Sequence, residues 1–187
     1  MSHRVRIVMA EKGVQHEVEQ VDLAAPSDEF VELSPYKLLP TIADRDLTLF
    51  GSRTIMEYLD ERFPHPPLMP VDPVARAMAR QMIDRIDLDW SLRIEEIEAG
   101  GKGAEAARKS LTESITMLTP LFSQQPYFMS EEFSLVDCSL APILWRLKSL
   151  GIELPASAKA VTEYAERMFD RESFLESLTE EERELDE

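Results

Sequence analysis

Val5, Ile7, Val8 and Met9 are set among Arg4, Arg6 and Glu11, with Gly13 just beyond. This pattern predicts a short helix over 4–11 with a basic start and a glycine stop, although so short a run separates helix from strand poorly. Val14 to Val21 carries an imperfect two-residue alternation and predicts a strand. Pro26 and Ser27 then open an acidic helical turn, Asp28 to Leu33, closed by Ser34 and Pro35. Leu38–Ile42 and Leu47–Phe50 are apolar runs divided by the polar turn Asp44-Arg45-Asp46, so they predict a hairpin. Pro40 stands at the entrance of its first strand, where the missing N–H does little harm. Gly51 and Ser52 break the hairpin. Ser52 is placed to cap a helix whose apolar positions are Ile55, Met56, Tyr58 and Leu59.

That helix is expected to end before a stiff connector, since Pro64, Pro66, Pro67, Pro70 and Pro73 are five of the twelve prolines. Beyond it strand signals vanish, and helical patterns cover roughly 74–98, 103–124, 135–150 and 157–170. The predicted organisation is a mixed α/β unit at 1–64, a linker at 65–73, an all-helical unit at 74–178 and an acidic tail at 179–187. Ser134 and Asp137 fit a reciprocal capping pair, with the apolar face of the helix behind them running through Leu140, Ile143, Leu144 and Leu147. This marks the central helix of the second unit, and both capping residues are structural. The tail, nearly all charge, predicts a frayed helix or a disordered end.

Charge narrows the partners. Thirty-six acidic residues against 20 Lys plus Arg give a net charge of -16, which disfavours direct nucleic-acid binding, because phosphate contacts need basic patches. A basic protein surface suits it better, or the charge serves solubility alone. Cys138, the single cysteine, excludes an internal disulfide and fits a reducing, cytoplasmic compartment. No apolar run is long enough for a membrane span or a signal peptide. His3, His16 and His65 have no partners at ligand spacing, so no metal or other cofactor is expected. The glycine-rich stretch at 100–103 lacks a phosphate-loop pattern and reads as a helix–helix turn.

Together these features resemble the glutathione transferase superfamily, with a thioredoxin-like N-terminal domain and an all-helical C-terminal domain. Pro40 resembles its cis-proline ahead of the third strand, and Ser134 with Asp137 its capping box. Within the superfamily the chain is more similar to the branch associated with RNA polymerase in Gram-negative bacteria. The segments that carry this are SHRVRIV from Ser2, AEKGV from Ala10, MEYLDERFPHPPLMP from Met56 to Pro70, FSLVDC from Phe133 and the sequence around Trp145. The resemblance implies an acidic, non-enzymatic homodimer that binds RNA polymerase holoenzyme and its primary sigma factor. It implies altered transcription in starvation, stationary phase and acid stress. It also implies a protein-binding turn at Pro64, His65 and Pro66, with Tyr58, Glu61 and Arg62 at its rim.

Two departures accompany it. The superfamily's enzymes grip glutathione with an acid–Ser pair, where this chain has Gly51 and Ser52. Ser2, Leu39, Pro40 and Ser52 are what the resemblance leaves of a vestigial glutathione site. Family members also begin with a strand ahead of the position of Met1, so the first strand is expected to be missing here, by truncation rather than by a reduced domain. A glutathione-dependent transferase and a dimeric adaptor for another protein are the alternatives. Met78, Met82, Ile86 and Leu92 suit either a dimer seam or the chain's own core.

Overall fold

The computed structural model describes residues 2–186. Helix α1 spans Ser2–Glu11 and is buried almost all round, His3 and Arg4 included, so it is a central helix of the molecule. Helix α2 spans Asp28–Leu33, where the Ser27 hydroxyl accepts from the Phe30 N–H at 3.2 Å. Strands β1 (Thr41–Asp44) and β2 (Leu47–Phe50) pair antiparallel, Thr41 with Phe50 through to Asp44 with Leu47. The turn between them is Arg45-Asp46, with Arg45 at φ 56°.

The strand expected over Val14–Val21 does not form. Val14 is tied to α1 through its N–H on the Met9 carbonyl, but residues 15–20 are exposed and pair with no strand among the described residues. A two-residue period supplies faces; only a neighbour supplies partners for the backbone groups.

Helix α3 spans Ser52–Arg62, and Gly51 rather than Ser52 is its cap residue. The Gly51 φ of 85° turns the chain out of β2, so Ser52 is already helical and its buried hydroxyl is directed elsewhere. Helix α4 (Pro73–Ile86) opens with Asp72 accepting from the Ala75 N–H at 2.8 Å, and Pro73 stands at its first position. The single helix expected over 74–98 is instead α4, one wide π-type turn at Asp87–Ser91, and α5 (Leu92–Ala99). Trp90 in that turn is buried and donates to Ser114 at 2.9 Å. The next pattern divides into α6 (Ala104–Met117) and α7 (Thr119–Phe122), because Pro120 has no N–H to carry the ladder through.

Helix α8 (Leu135–Arg146) is the axis of the C-terminal half: every residue from Leu135 to Leu144 is buried. Helices α9 (Lys159–Phe169), α10 (Glu172–Ser177) and α11 (Glu180–Arg183) follow, with a short 3-10 turn at Glu184–Asp186. Helix α1 packs on α3, α8 and α10, and α4 packs on α8, so one apolar cluster runs through both halves. The acidic end is neither frayed nor disordered over its described residues. Thr179 and Glu182 cap each other's backbone N–H groups at 3.2 and 3.1 Å. The Glu182 carboxylate is buried against Arg6 and Arg146, and its carbonyl accepts from the Trp145 indole at 2.8 Å. Among the described residues no helix is long and apolar enough to cross a membrane.

Candidate functional site

The turn after α3 is built by its prolines. Pro64, His65, Pro66 and Pro67 are all exposed, and Leu68 and Met69 immediately behind them are buried. The His65–Pro66 bond is cis. Lys12, at the end of α1, donates to the Pro66 carbonyl and to Asp60 Oδ1 at 2.7 Å. Asp60 Oδ1 also accepts from the Leu68 N–H at 2.8 Å, and the Leu68 carbonyl accepts from the Leu135 N–H at 2.9 Å. The exposed turn therefore stands on a polar frame joining α1, α3 and the start of α8.

Tyr58 and Arg62 lie one turn apart on α3 beside this feature. Tyr58 is half-buried and donates to Asp44 Oδ2 at 2.7 Å, a bond that raises its phenol pKa and ties α3 to the hairpin turn. Arg62 is exposed with its guanidinium 5.6 Å from the Phe63 ring centre, and Glu61 is exposed next to it. Lys12 and Asp60 were missed by the sequence reading. Asp60 follows Leu59 and lies four residues after Met56 on the buried face of α3, and an acid in that position demands a partner.

The residues of the glutathione-like set divide. Ser2, Leu39 and Pro40 line one groove of about 120 Å³ with Val5, Met9 and Ile42, and the Leu39–Pro40 bond is cis. Thr41 also lines it, with its hydroxyl donating to the Leu38 carbonyl at 2.6 Å. Ser52 is not part of this groove. Its hydroxyl accepts from Arg4 Nε at 2.9 Å, and Arg4 Nη1 reaches Asp87 Oδ1 at 2.8 Å. One buried guanidinium thus joins the start of α3 to the wide turn after α4. Gly51 adds no carboxylate to the set.

Elsewhere the polar chemistry is inward. Asp137 is fully buried: Oδ2 accepts from the Ser134 N–H at 2.9 Å, and Oδ1 accepts from the Phe128 N–H at 2.9 Å and the Tyr164 hydroxyl at 2.6 Å. Ser134 Oγ accepts from the Val136 N–H at 3.2 Å. Burial raises the Asp137 carboxyl pKa, and it pushes the Cys138 thiol far above its usual range, which leaves that sulfur without thiolate character. Among the described residues no group of three or more His, Cys, Asp or Glu is arranged to hold a metal ion. Of the four apolar residues weighed for a dimer seam, Ile86 is in the core and Met82 is half-buried, whereas Met78 and Leu92 are exposed. Met78 and Met82 line an apolar groove of about 460 Å³ with Phe128, Met129 and Val136.

Comparison with known proteins agrees with this architecture. Residues 1–62 match the family described as the glutathione S-transferase N-terminal domain, and residues 82–172 match the glutathione S-transferase C-terminal domain. A stringent starvation protein A homolog from Pasteurella multocida is 55% identical over 178 residues, covering 94% of this chain and 84% of its own length. A second, from Coxiella burnetii, is 52% identical over 186 residues, covering 98% of this chain and 89% of its own. Among solved structures, rice GST1 in complex with glutathione superposes with a TM-score of 0.86 at 26% identity, covering 98% of this chain and 88% of that one.

Proposed function

The chain belongs to the stringent starvation protein A family of the glutathione transferase superfamily, and we propose that it is a non-enzymatic regulator of transcription acting in stress and starvation. It works in the cytoplasm as a homodimer bound to RNA polymerase holoenzyme, touching the primary sigma factor through the turn at Pro64, His65 and Pro66. One observation carries this reading: four consecutive exposed residues, three of them proline, stand on a frame of buried and half-buried hydrogen bonds. A turn already fixed in shape loses little conformational entropy when a partner covers it, and the exposed imidazole adds a flat face and a polar edge. The charge of -16 directs the molecule toward a basic protein surface and away from DNA. Changing Pro64, His65 and Pro66 together to alanine is expected to abolish retention on immobilised holoenzyme while circular dichroism stays native. Undiminished retention by that folded variant would refute the assignment of the turn.

A glutathione-dependent transferase is the second reading, favoured by the groove at Ser2, Leu39 and Pro40. Against it, the Ser52 hydroxyl is engaged by Arg4, and Gly51 offers no carboxylate to a ligand's ammonium group. The first reading predicts no saturable retention on immobilised glutathione, and clear saturation would favour the second.

A further inference from the structure

We propose that Lys12 and Asp60 are a buried positioning pair that holds the Pro64–Pro67 turn in the shape its protein partner reads. The proposal rests on the reading of that turn as the docking surface. Of the residues from Pro64 to Pro67, only His65 has a backbone N–H, so the turn is short of donors with which to fix itself. Its shape has to be imposed from outside. The carbonyl of Pro66 and the N–H of Leu68 flank Pro67, and both terminate on this pair, one on the Lys12 ammonium and the other on Asp60 Oδ1.

The cost of the arrangement supports a positioning role. The Lys12 side chain is 0% exposed and that of Asp60 8%, so two charges are withdrawn from water beside an apolar cluster. Two apolar side chains of similar volume would fill the same space without that desolvation penalty, and such replacements are often neutral or stabilising. What they cannot do is donate to the Pro66 carbonyl or accept from the Leu68 N–H. The pair is also far from local in sequence, joining the end of α1 to α3 and the linker. Residues that never touch the partner thus set the geometry of those that do.

The test separates holding the turn from holding the fold. Lys12→Met alone strands the Asp60 carboxylate and is expected to lower the melting temperature. Lys12→Met with Asp60→Leu removes both charges and is expected to recover part of it, the remainder being the cost of a buried Leu68 N–H left without its acceptor. In that double variant the ring signals of the three histidines, followed by NMR, report the turn directly, because only His65 lies in it. The His65 signal is expected to move toward that of a free Pro-His-Pro peptide while those of His3 and His16 stay put. Holoenzyme affinity is expected to fall by at least about tenfold as preorganisation is lost. Lys12→Arg keeps a donor and is expected to retain a near-native His65 signal. A folded double variant with an unchanged His65 signal overturns the positioning role. A displaced signal with undiminished affinity overturns the claim that the partner reads this shape. If the native chain does not bind holoenzyme, the functional reading fails, and the His65 signal still decides whether the pair holds the turn.

Discussion

His3 is 1% exposed, with Nε2 2.9 Å from the Ser177 hydroxyl and Nδ1 3.7 Å from Glu182. Burial lowers its pKa from 6.5 to about 3; Glu182 pulls the other way, while Arg6 and Arg146 lower it further. The unfolded chain therefore takes up a proton below pH 6.5 that the folded chain refuses. The sign is fixed: stability present above 6.5 is lost as pH falls toward 3, by at most about 1.4 kcal/mol per pH unit from this residue. Urea titrations at several pH values in this window are expected to show that slope in the native chain and a flatter one in His3→Gln. Equal slopes would mean that another group carries the acid sensitivity. How legible such residues are depends on how local their partners are. Ser134 and Asp137 lie three positions apart, so their reciprocal cap is written in four consecutive residues. Arg4 with Ser52 and Lys12 with Asp60 are each 48 positions apart, and no local pattern announces either pair.

Helix ends separate local code from tertiary choice. Ser134→Ala removes one half of the α8 cap and is expected to cost about 0.5–2 kcal/mol by chemical denaturation. Asp137→Ala is expected to cost more than Ser134→Ala. It also deprives the Phe128 N–H and the Tyr164 hydroxyl of their acceptor, and buried donors without partners are expensive. Glu182→Ala is expected to cost roughly 1–3 kcal/mol, between exposed and fully buried ion pairs, because Arg6 and Arg146 both lose a partner. A loss indistinguishable from zero would show that the Glu182 carboxylate adds nothing to the fold, leaving α11 held by its backbone bond to Trp145. The hairpin, α2 and α8 were readable because period, turn chemistry and caps agreed, whereas α3 was readable from its apolar spacing alone, its cap being Gly51 and not Ser52. The segment at Val14–Val21 was misread because alternation describes a strand without supplying its neighbour. The acidic end was misread on composition, although Thr179 and Glu182 already had capping-box spacing.

On the scale of the whole molecule, one apolar cluster joins the hairpin half to the helical half, and the polar frame beneath the proline turn crosses the same boundary. The fold was legible as a change of character at the proline-rich stretch, from mixed α/β to helical, and it is a glutathione-transferase-like fold. The Ser52 hydroxyl is engaged by Arg4, and Lys12 and Asp60 bond to the Pro66 carbonyl and the Leu68 N–H on either side of Pro67. With a charge of -16, association with a basic protein surface is expected to weaken as salt screens it. The most direct measurement is size-exclusion chromatography of the native 187-residue chain with RNA polymerase holoenzyme at low and at high salt. The account predicts co-elution at low salt that diminishes at high salt. A folded chain that elutes apart from holoenzyme at both salt concentrations would contradict it.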